Sequence, residues 1–322
     1  VKVNYLGGVS SNSTSVHIYY GAPTNTFTGT GNWSDATKWS KGSVPVSVNR
    51  GDLIVINGNC NLDIQLSEDS RGQIDILPGS NLKILKPFTN QGVMNINGTL
   101  ENNSSRFQNL EPFHISGTFI NSGYFVNATA LFKLGDKSTF INAGTGTFQS
   151  GYIETPEGTS FVNIGNIIGT LTFKGNLVND ANLSPGNSPG KLTVQGNYTA
   201  APYARHFFEV EGTTAGTYDE LAATGTVNLS GAMNITLKPG ITISGSTEIP
   251  LITGTINGKF SSVTLPDGLM LDYKANSVVL KVATALPVRF VKLEAAKQNS
   301  VIQVSWKVAE ENGVLHYEVE KS

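Results

Sequence analysis

A tripeptide of aromatic, β-branched residue and Asn recurs through the middle of the chain, and it narrows the choice of fold sharply. It reads Phe119-Ile120-Asn121, Phe125-Val126-Asn127, Phe140-Ile141-Asn142 and Phe161-Val162-Asn163, with Leu177-Val178-Asn179 as a relaxed copy. In a strand the central residue points to one face and its neighbours to the other. The Asn then ends the strand by bonding nearby backbone. Where such units stack, equivalent Asn side chains can bond along the stack. Successive Asn of the set lie 6, 15, 21 and 16 residues apart. The repeat is therefore loose, unlike the strict periods of leucine-rich or ankyrin arrays.

The same strand-and-turn grammar extends outwards. Leu53-Ile54-Val55-Ile56 is a buried run, and Ile74-Asp75-Ile76-Leu77 and Leu82-Lys83-Ile84-Leu85 alternate around Pro78-Gly79-Ser80. Val93 to Leu100 alternates likewise, and Ser184-Pro185-Gly186-Asn187-Ser188-Pro189-Gly190 places a double turn directly before the strand Lys191 to Gln195. No segment of 11 or more residues carries helical apolar spacing with caps, and the best short candidate is Leu293 to Lys297. The pattern predicts an all-β chain. A parallel β-solenoid explains many near-equivalent strands joined by turns too short for helical crossovers, with Phe and Ile/Val stacked in matched places inside. A series of β-sandwiches is the alternative.

Composition agrees and excludes several functions. Charged residues are only 14 % and Gly is frequent at 35 residues, which suits tight turns over a solvated, highly charged surface. The net charge of −2 and the lack of a basic run argue against nucleic acid. Cys60 is the single cysteine, which rules out a disulfide within the chain and reads as a small buried side chain. No stretch has the roughly 18 continuous apolar residues of a membrane helix. The low charge and the Asn, Thr and Gly content suit an exported protein whose signal has been removed.

Three divisions are expected: a leader segment at 1–26, a solenoid at 27–284 whose cap occupies 27–56, and an incomplete sandwich module at 285–322. Charge density rises after Leu286, and Val301 to Trp306 and His316 to Glu320 read as two antiparallel strands. A sandwich of that kind needs about 90–100 residues, more than follow Leu286, so the chain is expected to be part of a longer protein.

Three segments resemble known families. Leu183 to Val194, with Tyr218-Asp219-Glu220-Leu221, Gly225 to Gly231 and Gly258 to Val263, resembles an autotransporter-type passenger repeat, which implies coils of a right-handed parallel β-helix on an exported protein. Gly29 to Ser40, through Val44-Pro45 to Ile56, is similar to the opening of β-helical surface proteins of the Bacteroidetes, in which paired Trp residues seal the helix. Leu286 to Phe290, with Val304-Ser305-Trp306 and Tyr317 to Glu320, is similar to a fibronectin-III-like module that precedes the sorting domain in type IX secretion cargo. Together these resemblances imply a location outside the cell or on the surface of a Gram-negative bacterium, and contact with secretion machinery.

Candidate chemistry is sparse. Solenoid lyases and glycosidases gather carboxylates on one groove, yet no two Asp lie close between Ile76 and Asn179. Asp63, Glu68, Asp69 and Asp75, with Arg71, form the densest charged patch, a solvated loop or a cation or glycan site. Asp136 with Lys133 and Lys137 reads as a turn. His17, His114, His206 and His316 are scattered without zinc spacing, and Arg205-His206 reads as a strand edge. Trp33 and Trp39 either cap the first coil or stack on sugars. Thr-x-Thr pairs are too irregular for an ice-binding face. No catalytic residue, cofactor or metal is expected.

The expected function is a non-enzymatic β-helical stalk or adhesin with an extracellular partner, possible glycans included. The alternatives are a carbohydrate-active β-helix, either lyase or glycan-binding module, and a self-associating filament subunit.

Overall fold

A computed structural model describes residues 22–66, 72–111, 113–128, 132–156, 159–186, 189–283, 290–299, 301–309 and 318. Residues 1–21 of the expected leader at 1–26, residues 67–71 of the charged patch, residues 284–289 around Leu286, and all but residue 318 of the expected strand at 316–320 lie outside these residues. No α-helix occurs among the described residues; Ala36–Lys38 is a single 3-10 turn.

The chain winds as a parallel β-solenoid with three faces. A nine-stranded sheet forms one face, and a 20-stranded sheet folds around a corner to form the other two. The corner is visible in Leu53–Leu62, whose first half pairs with Gln73–Ile76 and whose second half pairs with Asn81–Ile84. Strands on the first face begin at Gln73, Val93, Phe113, Phe132, Tyr152, Leu171 and Lys191, about 20 residues apart. At roughly 4.8 Å per rung, each coil adds one strand to every face.

The repeat tripeptide sets what points inward. In Thr118–Asn121 and Thr139–Asn142, Phe and Asn are buried while Thr and Ile are partly exposed. Phe88, Phe107, Phe125 and Phe148 stack up the nine-stranded face at centroid spacings of 5.4, 5.1 and 5.8 Å. Phe119, Phe140 and Phe161 do the same on the second face, at 5.1 and 5.0 Å. The β-branched residues do not join them, contrary to the sequence-based expectation. Ile120, Ile141, Val162 and Val178 are register partners on the outer side. A strand cannot bury adjacent residues on one face, and the larger ring takes the core.

The buried Asn residues form two ladders at two corners, which explains the loose spacing in sequence. One runs Asn102, Asn121, Asn142, Asn163, Asn179, each amide nitrogen donating to the next amide oxygen at 2.7, 2.8, 2.7 and 2.7 Å. The other runs Asn90, Asn109, Asn127, Ser150, at 2.7, 2.8 and 3.2 Å. Asn127 belongs to the second set, so reading it between Asn121 and Asn142 interleaves two regular series. The remaining donors reach corner carbonyls, such as Asn121 to Thr147 and Asn142 to Asn166. Corner turns are thereby satisfied by side chains where no ladder of backbone bonds can reach.

Both ends of the stack are covered. At the first coil Trp39 makes an antiparallel bridge to Phe27. At the last, Ser277–Val282 pairs antiparallel with Glu248–Thr253 and with Leu269–Tyr273. Cys60 is buried in the core. Beyond residue 289, Phe290–Gln298 and Val301–Val308 form a two-stranded antiparallel sheet. Val301–Val308 therefore pairs with the strand before it, and Leu293 to Lys297, the best helix candidate in the sequence, is strand. Register places Leu293, Ala295, Ile302, Val304 and Trp306 on one side of this hairpin and Lys292, Glu294, Ser305 and Lys307 on the other.

Candidate functional site

Of the residues singled out in the charged patch, Asp63 and Asp75 lie apart. Asp63 ends the strand Leu53–Leu62 and turns back to the first coil, accepting from the Ser34 amide at 3.0 Å and the Ser34 hydroxyl at 2.6 Å. Asp75 lies in register with Val55, near the other end of that strand. Eight extended residues separate Val55 from Asp63, on the order of 20 Å around the corner. Asp75 accepts from Gln73 and from Asn95, the latter at 2.7 Å. Burial pushes its carboxyl above the usual range, against the pull of those two hydrogen bonds. Glu68 and Asp69 lie outside the described residues.

Trp33 and Trp39 are both buried. Their rings meet edge to face at 4.6 Å, and Trp39 meets Phe27 in the same way at 5.3 Å. Each indole N–H is spent on backbone, Trp33 to the Pro45 carbonyl and Trp39 to the Trp33 carbonyl, both at 2.7 Å. Neither ring presents a face to solvent on which a sugar could lie.

Asp136 and Lys137 occupy an exposed turn, with Lys137 at φ 62°. Lys133 points elsewhere, forming with Glu154 and Lys174 an outward ion triad at 3.3 and 3.5 Å. Two concavities of about 440 and 450 Å³ open on the surface. The first is bordered by Arg50, Gln91, Leu110 and Glu111, the second by Lys41, Val44, Val46 and Asp52. Each contains one carboxylate, short of the pair that glycoside cleavage requires. Among the described residues no three of His, Cys, Asp and Glu gather as a metal set.

Two outer surfaces stand out instead. On the second face, Thr99, Thr118, Thr139 and Ser160 form one column, beside Ile120, Ile141, Val162 and Val178. Val162 and Val178 are 38 and 52 % exposed. On the nine-stranded face Phe207 points outward between Asn234 and the Asn182–Ser184 strand, next to Arg205, and Tyr203 in the preceding turn is 83 % exposed. Neither surface was legible from the sequence, because which alternate residue faces out is decided by register.

Two buried polar groups stand out: His206, read from the sequence as a strand edge, and Asp219, to which the sequence reading gave no role. His206 is fully buried within a strand paired on both sides, and is not at a sheet edge. Asp219 is buried too, accepting from the Gly190 amide at 2.7 Å and the Glu209 amide at 2.9 Å. It pins the base of the Ser-Pro-Gly-Asn-Ser-Pro-Gly turn, where Gly186 and Gly190 pack so closely that a Cβ on either would strike the other. Burial raises the Asp219 carboxyl above its ordinary range. The Pro-Gly spacing was the available signal for a tight loop; its anchor lies 29 residues downstream and left none.

The fold defines the chain as a β-solenoid protein. No protein-family profile matches the sequence, and no curated protein matches it closely enough to be a relative.

Proposed function

We propose that the chain is the rod of an exported cell-surface protein, a non-enzymatic stalk or adhesin of a Gram-negative bacterium of the Bacteroidetes that travels as type IX secretion cargo. The observation that carries the reading is the filled interior. Phe stacks and Asn ladders occupy the core from Phe88 to Asn179, and the two concavities described above hold one carboxylate each. Such a stack is stiff along its axis and presents long regular faces, which suits spacing and multivalent contact. The resemblances of 29–56, 183–263 and 286–320 support the exported location. The test is expression of the parent protein in its host, with surface proteolysis and fractionation. Retention in the cytoplasm overturns the reading.

One observation favours a glycan-binding module as the second reading. Phe207 and Tyr203 offer exposed rings beside Arg205 and Asn234, and sugars bind on aromatic faces flanked by polar donors. A glycan array with the wild type and the Tyr203→Ala/Phe207→Ala double variant tests it. Binding that needs both rings supports the module; no binding removes it. Release of oligosaccharides from any polysaccharide would instead favour a lyase or hydrolase.

A further inference from the structure

The first Asn ladder ends at Asn179, and a different buried polar pair follows it. The next residue in register is Ala200, which has no donor or acceptor side chain. Tyr198, two residues before it, is fully buried. Its hydroxyl lies 2.7 Å from His206 Nε2, and His206 Nδ1 lies 3.0 Å from the Ala232 carbonyl oxygen. That carbonyl can only accept, so Nδ1 carries the proton and Nε2 accepts from the Tyr198 hydroxyl. A one-directional chain of donors thus runs Asn102, Asn121, Asn142, Asn163, Asn179 to the Ala181 carbonyl, and a second runs Tyr198, His206 to the Ala232 carbonyl.

The direction is locked. Asn163 gives a second N–H to the Gly165 carbonyl, and Asn179 gives an N–H to the Ala181 carbonyl. An amide flip would set oxygen against oxygen at each corner. The Asn179 oxygen already accepts from Asn163. The Tyr198 hydrogen therefore has one available acceptor, His206 Nε2.

We propose that this junction is an acid-sensitive joint: a proton added to His206 Nε2 uncouples the coils after Ala200 from the Asn-laddered coils before it. The added N–H faces the Tyr198 hydroxyl, whose own hydrogen then has no acceptor. The imidazolium sits in apolar surroundings, between Leu183 and Met233 in the inner column and edge-on to Phe260 at 5.0 Å. Among the described residues Tyr198 is the titratable side chain that meets the ring. Arg205 and Glu209 on its own strand alternate to the outer side, and Lys259 beside Phe260 lies over the Tyr273 ring. The strands Asn182–Ser184 and Ala232–Leu237 bring no charged residue. Nothing compensates the charge, and the joint coincides with the place where the next first-face strand is delayed to Glu220.

Burial lowers the His206 imidazole from 6.5 to about 4, only partly opposed by the Ala232 carbonyl. The unfolded chain takes up this proton first, so stability falls as pH drops from about 6.5 to about 4 and levels off below. One proton makes the folded-to-unfolded ratio change about tenfold per pH unit, roughly 300-fold over the window. Asp75 and Asp219, raised by burial, work in the opposite sense and are common to all variants.

The experiment is urea unfolding of the full chain from pH 7 to pH 4, wild type against His206→Leu, which copies the Leu183 position below. The wild type is expected to lose about 300-fold more of its folded ratio than the variant. Equal losses overturn the proposal. Should His206→Leu fail to fold, the imidazole resonances of wild-type His206 decide: a native spectrum with His206 titrating near 6.5 overturns it, and neutrality down to about pH 4 supports it. Hydrogen exchange at pH 4 locates the break. Earlier loss of protection in 205–237 than in 118–163 is expected, and simultaneous loss overturns the joint.

Discussion

Asn142 Nδ2 donates to Asn163 Oδ1 at 2.7 Å, one coil apart, with both residues buried away from solvent. Asn142 also accepts from Asn121 and gives its second N–H to the Asn166 carbonyl. Removing one rung therefore orphans a donor below, an acceptor above and a corner carbonyl. Each buried unsatisfied group costs about 1–3 kcal/mol, so Asn142→Leu is expected to destabilise by on the order of 3 kcal/mol in urea unfolding. The double variant Asn121→Leu/Asn142→Leu is expected to cost clearly less than the two single changes combined, since the second removes a partner already lost. Additive losses would mean that the ladder does not act as a connected chain.

Corner glycines are required by distance. A Cβ on Gly117 would collide with the Gly98 carbonyl oxygen of the coil below, and Gly92 stands in the same relation to Gly72. Gly79, at φ 77°, has open space around its Cβ position and only backbone conformation to satisfy. Gly79→Ala is expected to cost about 1 kcal/mol, from the left-handed backbone alone. Gly117→Ala has to push two coils apart and is expected to cost about 3 kcal/mol or more. Thermal melts of the two variants check the order; similar losses would argue against close coil contact at this corner.

The inward Phe and outward β-branched residues of one tripeptide give a paired prediction. Phe140→Ala removes a buried ring from one Phe stack and its contact with Phe148 of the other, and is expected to cost about 3–5 kcal/mol. Val178→Ser changes an outer residue that is half exposed and is expected to stay within about 0.5 kcal/mol. A large loss from Val178→Ser in the isolated chain would show that something covers the outer column in solution. Dilution would then tell self-association from folding, because only an interface between copies is lost as concentration falls.

What the sequence disclosed follows from its local rules. Alternation and turn chemistry are written within a few residues, so strand positions such as Ile74–Leu77 and Lys191–Gln195, and the stacking of the Asn residues, were legible. Facing was not. The tripeptide Phe140-Ile141-Asn142 admits Ile inside or Phe with Asn inside, and only competition for a closed core decides. Likewise the partner of Asp63 is Ser34, and that of Asp219 is Gly190, each 29 residues away. Contacts over such separations are fixed by coil length, which lengthens after Lys191 in a way no local pattern announces. Asp63 and Asp75 are close in sequence, yet a strand that turns a corner places them on different faces.

The first coil supplies the last prediction. Trp33 is wholly buried, with its indole N–H on Pro45, its backbone amide on Asn61 and its carbonyl taken by Trp39. Trp39 in turn bridges Phe27, the inner residue of the first strand. The segment that carries both indoles therefore covers the open edge of a parallel sheet, which otherwise offers unpaired backbone groups to another chain. Trp33→Ala loses a large buried ring and one buried hydrogen bond, and is expected to cost about 3–5 kcal/mol. Because the damage lies at one end, hydrogen exchange should rise first in Asn25–Asn32 and Leu53–Leu62 and leave Thr139–Asn142 protected. The exposed edge should also show as concentration-dependent association under conditions in which the wild type remains dispersed. A Trp33→Ala chain that keeps wild-type protection in Asn25–Asn32 would remove the capping role, and a Trp33→Phe chain separates the ring from the hydrogen bond: it should recover most of the packing and leave the Pro45 carbonyl unpaired.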